Sequence, residues 1–211
     1  GGNPVVLASL PARAAAIALD ETFAYVMTSS RTPESGQIVR VPKRGGTATT
    51  LLSGYAGLSG IAVDATSLYF STPEGLYRAS KGGASPALIV AGTRKAIHLA
   101  ADQDYLYFYG EQSAGKWALF KLAKAGGQPV RLATDVQSNM DFALSDSAVY
   151  FFQETRSTFA GQITVYALRR VAKTGGTAET VDVGEIPSGK LSVRGDRVVF
   201  TDINSVYLVS P

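Results

Sequence analysis

The sequence predicts an all-β chain assembled from one repeated four-stranded antiparallel unit, and three observations predict it. Gly-Gly pairs punctuate the chain at 1–2, 45–46, 82–83, 126–127 and 175–176, spaced 44, 37, 44 and 49 residues apart. An apolar run follows each pair (NPVVLAS, TATTLLS, ASPALIVAG, QPVRLAT, TAETVDV), and another precedes the last four (GQIVRVPKR, GLYRASK, WALFKLAKA, VYALRRVAKT). Further upstream lie IALDETFAYVM, IAVDATSLYFS, LAADQDYLYFY, FALSDSAVYFF and LSVRGDRVVFT, each an apolar strand, a short turn and an aromatic, β-branched strand. Repetition at a period near 40 residues is the signature of stacked supersecondary units.

The first strand of each unit, strand a, carries a period-two row: Ile17, Ile61, Leu99, Phe142 and Leu191, with Leu19, Val63, Ala101, Leu144 and Val193 two places on. Small residues lie between them (Ala18, Ala62, Ala100, Ala143, Ser192), so one face is large and the other small. Strand a ends in a turn with Asp20, Asp64, Asp102 or Asp196, a residue type that accepts from its own turn amides. Strand b brings Tyr25, Tyr69, Tyr107, Tyr150 and Val199 to one aligned position; recurrence in every unit marks it as a packing position. Strand c then runs to the Gly-Gly turn, where glycine supplies positive φ, and strand d follows.

A four-stranded unit of this length matches a propeller blade, which buries its faces only against neighbours. Counting strands gives five of each kind, hence a five-bladed β-propeller with four antiparallel strands per blade. The expected single domain covers 1–211, with blades at about 14–53, 58–92, 96–135, 140–184, and 190–211 joined by 1–10. The chain opens on a lone strand d and ends on strands a, b and c. The N-terminal strand is therefore expected to complete the C-terminal blade and close the ring.

Composition narrows the function classes. The chain is 45% hydrophobic and 18% charged with 22 glycines, as a folded, turn-rich protein requires. A net charge of +3, scattered along the chain, lacks the basic stripe of a nucleic-acid binder. There is no cysteine, so disulfides and thiolate metal sites are excluded. No apolar run is long enough to span a membrane as a helix. The absence of an initiating Met reads as a trimmed chain.

Binding residues concentrate on loops held by a rigid scaffold. Here the a–b and c–d turns are short and repetitive, whereas the b–c loops (28–36, 71–75, 110–116, 153–161) and d–a loops (53–60, 91–96, 134–141, 183–190) vary. The candidates on that face are Tyr55, Arg94, His98, Tyr109, Glu111, Trp117, Asn139, Glu154 and Arg156, with Arg31, Glu34 and Lys190 beside them. Tyr109 and Trp117 flank one loop and offer flat surface to a sugar or peptide. His98 is the sole histidine and cannot build a multi-histidine metal site. Glycoside chemistry would need two carboxyls across a cleft, for which Asp141 and Glu185 are the central pair. No phosphate loop, dinucleotide fingerprint, HExxH or GxSxG occurs. No catalytic residue, metal or cofactor is therefore assigned.

The units IAVDATSLYFST…GLYRASKGGASPALIVAG and IALDETFAYVMT…GQIVRVPKRGGTATTLLSG resemble bacterial propeller repeat proteins, distantly TolB-like. Those families carry D-x-x-x-[LV]-Y-[FW] followed by G-x-[IVL]-x-[RK]-V-x-K-x-G-G-x-P-x-x-L. The resemblance spans essentially the whole chain and implies a secreted or cell-envelope protein, with no catalytic residues to carry over. The sequence thus reads as a non-enzymatic, monomeric binding or scaffolding module that presents its loop face to a protein or glycan. The alternatives are a carbohydrate-active hydrolase or lyase with a site at the central cleft, and a structural spacer of a larger envelope protein.

Overall fold

The computed structural model describes residues 3–10, 12–29, 36–84, 86–93, 95–156, 165–184, 190–195, 197–201 and 205–209. Its regular structure is all strand. Contacts divide the chain into two compact units, residues 1–106 with 123–128, and residues 107–122 with 129–211.

The first unit holds two complete sheets. Sheet 1 is β1 (Arg13–Leu19), β2 (Phe23–Ser29), β3 (Gly36–Pro42) and β4 (Thr49–Tyr55); sheet 2 is β5 (Gly60–Val63), β6 (Ser67–Thr72), β7 (Gly75–Ser80) and β8 (Ala87–Ala91). In both the spatial order follows the chain, so each is an antiparallel meander. Sheet 3, formed by β9 (Ile97–Ala101), β10 (Tyr105–Ser113), β11 (Lys116–Ala123) and β12 (Val130–Thr134), contributes strands to both units. The second unit adds sheet 4, β13 (Ala143–Leu144), β14 (Ala148–Arg156), β15 (Val165–Ala172) and β16 (Glu179–Gly184). Sheet 5 is β17 (Leu191–Arg194), β18 (Arg197–Thr201) and β19 (Val206–Val209).

Local chemistry explains why the chain turns where it does. Asp20 Oδ1 accepts from the amides of Thr22 and Phe23 at 2.8 and 2.7 Å, and Asp64 Oδ1 does the same for Thr66 and Ser67. Asp102 caps Asp104 and Tyr105 in sheet 3, and in sheet 4 the Ser145 hydroxyl takes the role by accepting from the Ala148 amide. At the c–d turns Gly45, Gly83, Gly126 and Gly175 each donate their N–H to the carbonyl three residues back. The equivalent glycine is therefore the second of the pair in sheet 2 and the first in the other three. At Gly83 the requirement is double: φ is +83°, and a Cβ would meet the Leu51 carbonyl at 2.5 Å.

One feature repeats without any sequence signature. The c–d pairing slips by one residue at Ile38/Val39, Leu76/Tyr77, Leu119/Phe120 and Leu168/Arg169. Those are the same position in four units, a bulge that twists each outer strand.

Packing follows the alternation. Tyr25, Met27, Ile38 and Leu52 of sheet 1 meet Ile61, Leu68, Phe70 and Ala79 of sheet 2 in one apolar layer. In the second unit Met140, Ala148, Tyr150, Phe152 and Leu168 pack on Val198 and Phe200. The recurrent tyrosines are core residues: Tyr25, Tyr69, Tyr107 and Tyr150 are all buried.

The expected closing strand is not among the strands of the described residues. Sheet 5 has three strands, and residues 3–10 are not among them. Ala8 and Leu10 pack instead against Ala24, Val26, Val39 and Val41, on the face of sheet 1 opposite sheet 2. Pro4, without an N–H, also weakens this segment as a ladder partner. On that face Ile17 is 61% exposed whereas its counterpart Ile61 is 5% exposed.

Candidate functional site

Long strands carry the loop end of the second unit. β10 and β14 each run nine residues and β11 eight, against six each for β6 and β7. The β10–β11 hairpin is tied internally by the Gly115 amide, which donates to Glu111 Oε1 at 3.1 Å. Beside it the segment after β12 is held to strands on both sides. The Val136 amide donates to the Trp117 carbonyl at 3.3 Å, the Gln137 amide to the Phe152 carbonyl at 3.2 Å, and Gln153 Nε2 to the Thr134 carbonyl at 2.9 Å. Val136 also bridges Gln153 and is buried.

These elements enclose a cleft of about 320 Å³ lined by Gly115, Lys116, Trp117, Asp135, Val136, Gln137, Glu154 and Thr155. Trp117, the only tryptophan of the chain, is half-buried on one side. Asp135 lines the cleft in a left-handed conformation, φ 55°, and its Oδ2 accepts from the Thr134 hydroxyl at 2.9 Å. Glu154 closes the other side, its Oε2 accepting from Gln137 Nε2 at 3.1 Å. Across β14 and β15, burial first and then the Glu154 charge raise the Tyr166 phenol above its ordinary value. The site thus combines an indole, two carboxylates, an amide and an ammonium group on a base held by backbone hydrogen bonds. Such groups bind by stacking and hydrogen bonding.

Of the residues nominated from sequence, the cleft gathers Trp117 and Glu154. Glu111 stands one step back, fixing the hairpin through Gly115. Tyr109 is fully buried, its ring tilted against Phe142 at 5.1 Å, so it offers no surface to a partner. Burial, followed by the charge of Asp141, pushes its phenol well up. Asn139 is exposed outside the cleft lining. Arg156 ends β14 opposite Val165.

In the first unit, Tyr55 packs edge-on against Phe70 at 5.0 Å and so belongs to the core layer. His98 is partly buried in β9 with φ 50°. Arg31, Glu34, Arg94 and Glu185 lie outside the described residues. Asp141, the other half of the proposed carboxylate pair, forms an ion pair with Lys190 at 2.9 Å. Among the described residues no group of three His, Cys, Asp or Glu side chains is placed to hold a metal ion.

Sequence reasoning missed Lys116, Asp135, Gln137 and Thr155. Asp135 and Gln137 lie in the variable loop 134–141, but their approach to Glu154 depends on the bridge between Val136 and Gln153. That bridge has no local sequence signal.

No family model matches the sequence, and no curated protein does. Solved structures do match. The fold aligns with a chain of a nidogen/laminin complex over 92% of this chain and 74% of that one, with TM-score 0.69 and 15% identity. An oligogalacturonate lyase in complex with manganese aligns over 98% and 68%, with TM-score 0.69 and 13% identity. A putative TolB from Agrobacterium tumefaciens aligns over 77% and 61%, with TM-score 0.57 and 14% identity. This chain thus spans about three-fifths to three-quarters of the length of those three chains. The neighbours are β-propeller proteins, and the likeness places the chain in the propeller class of all-β folds.

Proposed function

We propose that the protein is a non-enzymatic binding module that takes a glycan in the cleft beside Trp117. One observation carries the reading: an indole, two carboxylates and an amide line a cleft of about 320 Å³ whose base is laced to strands on either side. That volume lies in the usual range for small-ligand sites, and a pyranose presents both C–H faces for an indole and hydroxyls for polar groups. Because the base is already ordered, binding does not have to pay for fixing it. An extracytoplasmic location and the five-blade reading of the five sheets belong to the same proposal.

The single tryptophan makes the test direct. Emission from Trp117 is followed while soluble oligosaccharides are titrated, and Trp117→Ala is examined by calorimetry. A saturable spectral change, with heat lost in Trp117→Ala at unchanged urea midpoint, is the expected result. Failure of every saccharide to bind at millimolar concentration would refute the glycan reading.

A further inference from the structure

Resting on the glycan reading, we infer that the cleft selects a saccharide bearing a free, protonated amine. The observation is the state of its two carboxylates. Asp135 Oδ2 receives only the neutral Thr134 hydroxyl, and Glu154 Oε2 only the neutral Gln137 amide. No cation forms an ion pair with either among the described residues, although Lys116 lines the same cleft. Elsewhere in the protein the acids at the sheet turns are matched: Asp20 with Lys81 and Asp64 with Lys124. The cleft therefore keeps negative charge without a partner, in a chain whose net charge is +3.

Two further features give that charge a direction. The Asp135 backbone is left-handed, and the following Val136 amide is bonded to the Trp117 carbonyl, which anchors the loop that carries the carboxylate. Trp117 adds a ring whose face attracts cations. An ammonium group entering the cleft gains charge-assisted hydrogen bonds from carboxylates that at present accept only neutral donors. A sugar ring attached to that ammonium can stack on the indole, while its hydroxyls meet Gln137 and Lys116. A glucosamine-type pyranose supplies all three elements; a neutral hexose supplies two; a uronic acid brings the wrong charge.

The test is a Trp117 emission titration with three trimers of similar length: glucosamine trimer, N-acetylglucosamine trimer and cellotriose, each at low and at high salt. Glucosamine trimer should bind at least about tenfold tighter than its acetylated counterpart, and salt should weaken it selectively. Asp135→Asn and Glu154→Gln should each reduce glucosamine affinity about fivefold or more and remove most of its advantage over the acetylated trimer and cellotriose. Asn tolerates the left-handed backbone at 135, so the first variant retains the loop. Equal or tighter binding of the acetylated trimer or cellotriose would overturn the amine selection while leaving the glycan reading intact. Silence from all three trimers would remove both. Binding of an oligolysine peptide without binding of glucosamine trimer would also overturn the inference.

Discussion

Replacing Asp64 by Asn tests the joint that fastens sheet 2 to its neighbour. Asp64 Oδ1 caps its own turn, while Oδ2 accepts from the Tyr69 hydroxyl at 2.8 Å and from Lys124, which comes from the c–d turn of sheet 3. The Lys124 side chain is 13% exposed and that of Asp64 19%. Asn keeps an oxygen for the turn amides but removes the charge that Lys124 was buried against. Breaking a buried ion pair costs about 3–5 kcal/mol, and this pair lies near the rim, so about 2–3 kcal/mol is expected. Asp64→Ala should lose about 1 kcal/mol more, the scale of a lost side-chain cap. Urea midpoints give these values, and a double-mutant cycle with Lys124→Met should return a coupling of about 1–2 kcal/mol.

The acid limb adds an independent check. Burial alone would raise the Asp64 carboxyl, but Lys124, the amides of Thr66 and Ser67 and the Tyr69 hydroxyl outweigh it and hold the group well below the usual range. A depressed folded-state value means the stabilisation is complete above the unfolded value, about 4, and is lost as pH falls below it. The gap between wild type and Asp64→Asn should therefore be widest at neutral pH and narrow toward about pH 2. A coupling below about 0.5 kcal/mol, or a gap independent of pH, would refute the joint as drawn.

Two other predictions concern the same repeat. Tyr25 and Tyr69 are pushed up to about 12 by burial and then by the adjoining Asp20 and Asp64. Their contribution to stability is thus whole below about pH 10 and lost between about 10 and 12; Tyr25→Phe and Tyr69→Phe should leave the ultraviolet phenolate rise near pH 10 intact, and a loss of amplitude there would contradict this. Gly83→Ala and Gly45→Ala both demand φ near +83°, but only the first drives a Cβ into the Leu51 carbonyl. Gly45→Ala should cost about 1 kcal/mol and Gly83→Ala about 3 kcal/mol by urea midpoint, and equal costs would remove the steric argument.

What the sequence made legible is what a repeat must make legible. The Asp turns, the tyrosine row and the Gly-containing c–d turns recur because successive sheets solve the same local problem, so four or five copies bear on each position. Lys43, Lys81, Lys124 and Lys173 also recur, two residues before the positive-φ glycine. Their role was not visible because it lies across sheets, where Lys81 reaches Asp20 and Lys124 reaches Asp64. The bulges were invisible for another reason: a slip in pairing changes no residue type. The N-terminal segment reads as a sheet partner from its place after Gly1-Gly2, whereas Ala8 and Leu10 pack on an apolar face of sheet 1, a contact the repeat does not encode.

The same repetition separates packing from recognition, and it does so better than residue type does. Seven residues after each first-turn Asp or Ser stand Met27, Ser71, Tyr109 and Phe152, all buried. Tyr109 is therefore the local filling of a position that sheets 1 to 4 all bury, and its aromatic ring carries no message about a ligand. Seven residues before each turn lysine stand Gly36, Glu74, Trp117 and Tyr166, a set with no common size, charge or polarity. A position that tolerates glycine, glutamate and two different aromatics is not fixed by the shared fold. One such position carries the chain's only tryptophan and opens on a cleft with two carboxylates that form no ion pair among the described residues, a departure from the repeat that the shared packing does not call for. The proposed recognition of a ligand would supply the cause, which is why the cleft at Trp117 is preferred to the residues that looked equally suitable when each was judged by type alone.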